Sequence, residues 1–85
     1  MTKTNAEKMA NDIVAWLCYN TCGDPELHLA LHVYDNDELN AAVDKLVEQH
    51  MNDEGEPDVS DEIKSSSGYE LADMLHEAVE ELLSA

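Results

Sequence analysis

The chain has 85 residues, twenty of them acidic against four lysines and no arginine, for a formal net charge of −16 at pH 7. That length excludes a second domain and leaves room for one small core. The charge excludes direct binding to nucleic acid and to anionic membrane surfaces, because affinity for phosphates comes from Lys and Arg releasing counterions. The partner it points to is basic.

The first helix is expected from Thr4-Asn5-Ala6-Glu7, a capping-box pattern in which the Thr4 hydroxyl and the Glu7 carboxylate satisfy backbone N–H groups reciprocally. Its inward face reads Ala6, Met9, Ala10, Ile13, Val14 and Leu17, with Trp16 bordering it and Gly23 as a natural stop. The first five residues are polar and lack the basic start and apolar run of a signal peptide. Cys18 and Cys22 are too few for a disulfide framework, so a reducing cytoplasm is the expected compartment.

The next stretch supports two readings. Leu27, Leu29, Leu31 and Val33 alternate with His28, Ala30, His32 and Tyr34, the period of a short β segment over 27–34. Asp24-Pro25-Glu26, by contrast, opens a helix: a cap, a proline at the first helical position and an acid in the first turn. We favour the helix, since a lone strand has no partner elsewhere in the chain.

A central helix follows, capped from Asp35–Asp37 and expected to run to about Asn52, with Leu39, Ala42, Val43, Leu46, Val47 and Met51 on one face. Gly55 and Pro57, among like charges, predict a loop. Ser60-Asp61-Glu62-Ile63 starts a short helical turn that the Ser65–Ser67 triplet ends, and Ser67-Gly68-Tyr69-Glu70 forms a second capping box. The last helix carries Leu71, Met74, Leu75, Ala78, Val79, Leu82 and Leu83 as its stripe, with Glu70, Asp73, Glu77, Glu80 and Glu81 mostly outside. The expected fold is therefore all-α, a small bundle of three to four short helices forming one acidic domain over residues 1–85. The terminal stripe is also long enough to be a homodimer seam.

Charge is uneven along the chain. Residues 1–34 hold four acids and two lysines, whereas residues 35–85 hold sixteen acids and two lysines. Eleven acids fall in the 28 residues from Asp35 to Glu62, where Lys45 is the one basic residue: Asp35, Asp37, Glu38, Asp44, Glu48, Asp53, Glu54, Glu56, Asp58, Asp61 and Glu62. Were that stretch helical throughout, its charges would recur about every 4 Å, comparable to the roughly 3.4 Å between phosphates on one strand of B-DNA. These eleven side chains are the candidate partner-binding surface. The plainer reading is a solvated face, or adaptation to salt, although salt pressure should act on the near-neutral first third as well.

Other constellations are weaker. Cys18, Cys22, His28 and His32 pair at four-residue spacing and suit a tetrahedral zinc site, but more often such residues are small core cysteines and surface histidines. Gly55 and Pro57 sit where a calcium loop beginning at Asp53 needs oxygen ligands. No nucleophile elbow, phosphate loop or diagnostic Cys–His spacing points to an enzyme, and no cofactor is implied.

In size, charge and helical presentation the chain resembles the small acidic inhibitors of bacteriophages and mobile elements, the anti-CRISPR, anti-restriction and uracil-glycosylase-inhibiting DNA mimics. The resemblance rests on no shared motif and transfers no residue. It implies a stoichiometric blocker of a basic nucleic-acid-binding host complex, acting in the host cytoplasm. The alternative is a small acidic adaptor that binds a protein partner through an apolar helix face.

Overall fold

The computed structural model describes residues 2–21, 37–50 and 55–84. Four helices occur among them: α1 (Lys3–Thr21), α2 (Asp37–His50), α3 (Asp61–Ser65) and α4 (Gly68–Leu83), with no strand among the described residues. The all-α expectation holds. Gly23, the 27–34 segment with its helix and strand readings, Met51 and the stretch from Asn52 to Glu54 lie outside the described residues.

Helix α1 packs against each of the other three. Its buried stripe is Ala6, Ala10, Ile13, Val14 and Cys18, and the first two are small enough to let a neighbouring helix approach closely. Ala78 of α4, equally inaccessible, lies in the same core as Leu71, Leu75 and Val79. From α2 come Leu39, Val43 and Val47, and from the third helix and the coil before it Ile63 and Val59. Met9, Trp16, Leu17, Ala42, Leu46, Met74 and Leu82 close the edges.

Two local expectations need correction. The first helix begins before Thr4: the Thr2 hydroxyl accepts the Asn5 N–H at 3.2 Å and the Thr2 carbonyl accepts the Ala6 N–H at 2.9 Å. Starting earlier gains additional helical hydrogen bonds and places Thr4 inside the first turn, so the Thr4–Glu7 box does not form. Leu83, assigned to the buried stripe, is 46% exposed because it belongs to the last residue pair of α4 and opens onto a groove beside α2.

The serine triplet behaves as a joint. Ser65 and Ser66 hydroxyls donate to the Glu62 carbonyl at 3.2 and 2.7 Å, closing α3. Ser67 then caps α4: its hydroxyl accepts the Glu70 N–H at 3.2 Å while the Glu70 carboxylate accepts the Ser67 N–H at 3.4 Å. Ser60 caps α3 in the same manner, through the Ile63 N–H at 3.4 Å. Gly55 adopts φ of 92°, a left-handed conformation that side chains resist, and begins the described part of the turn toward α3.

Candidate partner-binding surface

None of the described carboxylates is buried. Their placement separates those that the helices themselves call for from those that they do not. Asp37 and Glu38 occupy the first turn of α2, and Asp61 and Glu62 the first turn of α3. Acids there are stabilised by the positive end of the helix dipole. Glu70 closes the capping box of α4. Glu56 pairs with Lys64 at 3.4 Å, and Asp12 with Lys8 at 2.8 Å. The hydrogen bond from Lys8 to Asp12, and then the Asp12 charge, raise the Lys8 pKa above the ordinary lysine value.

The remaining acids lie outside the first turns of the helices. On α2, Asp44 is half-buried and Glu48 exposed, and with Asp37 they fall within about 40° of one line along the helix. Asp58 is exposed in the coil before α3. On α4, Asp73, Glu77, Glu80 and Glu81 continue from Glu70 around an arc of about 100°, opposite Leu71, Leu75, Ala78 and Val79. Glu80 and Glu81 stand in the last turns, where the dipole is negative, and the last turn holds no basic residue. That arrangement is unfavourable by about 0.3–1 kcal/mol per charge near the terminus.

As the loop expected around Gly55 and Pro57 implies, the surface from residues 35–62 is not one rod. It is broken between α2 and α3, with Asp35, Asp53 and Glu54 outside the described residues and Glu56, Asp58, Asp61 and Glu62 carried on coil and a short helix. The acidic ridge on α4 was not included in the candidate surface. Its signal was present in sequence: five acids at three- and four-residue spacing, interrupted by no lysine after Lys64. From Glu70 to Glu81 the ridge spans about 17 Å, one charge per roughly 4 Å, close to the axial density of phosphates on one DNA strand. Helix α1, with two lysines and two acids, is neutral overall, so the charge is concentrated on the remaining elements.

The histidines of these helices do structural work. His50 Nε2 lies 3.1 Å from Asn11 Oδ1, joining α2 to α1. Since the Asn11 amide nitrogen donates to the Glu7 carbonyl at 2.9 Å, its oxygen is the acceptor and His50 carries the proton on Nε2. His76 Nε2 lies 3.0 Å from Glu80 Oε1 and steadies that carboxylate.

Of the zinc candidates, Cys18 is buried in the core, while Cys22, His28 and His32 lie outside the described residues. No group of three or more His, Cys, Asp or Glu side chains among the described residues is placed to hold a metal ion. No described helix is long and apolar enough to cross a membrane. The apolar stripe of α4, considered above as a docking or dimer face, is largely taken up within the chain: Leu71, Leu75, Ala78 and Val79 are buried in the core shared with α1. The large apolar side chains left exposed among the described residues are Tyr19, Tyr69 and Leu83.

No family model, curated protein or solved structure matches this chain.

Proposed function

We propose that this protein is a stoichiometric inhibitor that presents nucleic-acid-like charge to a basic nucleic-acid-binding protein or complex and occupies its channel, in the manner of anti-CRISPR and anti-restriction DNA mimics. The observation that carries this reading is the α4 ridge. Five carboxylates are spaced at near-phosphate density on a helix whose other face is anchored in the core, and four of them lie beyond its first turn. Charge of that kind speeds encounter with a cationic groove and makes association sensitive to salt. Binding at fixed stoichiometry is sufficient, so no catalytic group is invoked.

The test is capture from a bacterial lysate on the immobilised chain. Nucleic-acid-binding proteins should dominate the captured set, and either rising salt or added duplex DNA should displace them. Capture that survives about 1 M salt, where the screening length falls to about 3 Å, and that ignores DNA would overturn the proposal.

A further inference from the structure

Where α2 begins and α4 ends, Glu38, Leu39, Glu80, Leu83 and Ser84 line a shallow, open cavity of about 280 Å³. Two carboxylates come from different helices, and Glu80 is held by His76 at 3.0 Å. The apolar part is Leu39, which is buried, and Leu83, which stays 46% exposed at the end of α4. The C-terminus of α4 adds the negative end of a helix dipole that no basic residue of its last turn offsets.

We infer that this cavity is a socket for one arginine side chain of the cationic partner; the inference rests on the proposed function and names the contact that gives it register. Arginine fits both halves of the cavity. Its methylene stem covers apolar surface such as Leu83, and its planar, weakly hydrated guanidinium offers donors in several directions to two carboxylates at once. Lysine is a compact, strongly hydrated point charge and gains less from a second carboxylate beside an apolar wall. A calcium ion wants six to eight oxygen ligands, which two carboxylates and one serine do not supply. The chain has no arginine of its own to fill the site. Two of its four lysines are engaged elsewhere, Lys8 with Asp12 and Lys64 with Glu56.

The probe is N-acetyl-arginine N-methylamide, titrated into the isotope-labelled full chain and followed by amide chemical shifts, with the citrulline counterpart as a neutral isostere and the lysine counterpart as a second cation. Saturable shifts are expected at Glu38, Leu39, Leu83 and Ser84, weaker with lysine and missing with citrulline. The variant E38Q/L83S, which leaves the α4 ridge intact, should lower apparent affinity by about tenfold, the scale of one charged hydrogen bond. Shifts spread equally over Glu48, Asp73 and Glu77, an equal response to lysine, or no effect of E38Q/L83S in a variant whose amide spectrum remains folded would each overturn the socket. The two proposals separate cleanly. Failure here with DNA-displaceable capture retained removes the socket alone, whereas arginine binding without capture removes the partner class.

Discussion

Replacing Glu77 by Gln should make the protein more stable, although the change removes a charge from the middle of a well-formed helix. Glu77 faces Asp73 four residues before it, and Glu80 and Glu81 three and four residues after it, all on the outer side of α4. Like charges at such spacings destabilise a helix by about 0.2–0.5 kcal/mol per pair, so removing three pairs is worth about 0.6–1.5 kcal/mol at low salt. Glu and Gln have similar helix propensity, and Glu77 is far enough from both termini for the dipole to contribute little. In a domain of this size about 1 kcal/mol raises Tm by roughly 4–8 °C, readily seen by thermal unfolding followed by circular dichroism. The gain should shrink at about 0.5 M salt, where the screening length is shorter than the separation of neighbouring side chains. Glu70→Gln serves as a contrast: it weakens the capping box and should lower Tm or leave it unchanged. A Tm for Glu77→Gln that does not rise, or that rises equally at both salt concentrations, would refute the claim that the ridge is maintained against the interest of stability.

Four further outcomes follow from the fold. Ser67→Ala removes the acceptor of the Glu70 N–H and should cost about 1 kcal/mol, lowering Tm by several degrees. Ile13→Ala empties a fully inaccessible position and should cost about 2–5 kcal/mol, against a total of roughly 4–13 kcal/mol expected for the chain; a loss below about 1 kcal/mol in urea unfolding would mean that α1 is not the centre of the core. Gly55→Ala, at φ of 92° with open space around it, should lose about 1 kcal/mol to backbone strain alone. Gly68→Ala, in the first turn of α4 with equally open space, should be neutral or gain up to about 1 kcal/mol.

Much of this architecture could be read before the structure because its determinants are local. Ser60, the serine triplet and Gly55 act on backbone groups within four residues, so the boundaries of α3 and α4 follow from chemistry carried by the segment itself. The stripe of α4 was equally legible up to Leu82. Leu83 was not, because whether the last turn of a helix is covered depends on where a neighbour ends, which periodicity does not encode. The start of α1 failed for a related reason: Thr2 and Thr4 both suit a cap, and the favourable pattern at Thr4–Glu7 was outweighed by the earlier start. The candidate surface left out the α4 acids because acids were counted by density along the chain. Density is high at helix starts, where Asp37, Glu38, Asp61 and Glu62 have structural reasons to be. The more informative acids are those placed against the helix dipole, and recognising Glu80 and Glu81 as such required knowing where α4 ends.

The most direct measurement compares lysate capture by the wild-type chain with capture by the variant Glu70→Gln, Asp73→Asn, Glu77→Gln and Glu81→Gln, both checked for helix content. The account predicts that the variant folds but loses at least about tenfold in DNA-displaceable capture of nucleic-acid-binding proteins, the equivalent of about 1.4 kcal/mol or more. Equal capture by a folded variant would contradict it.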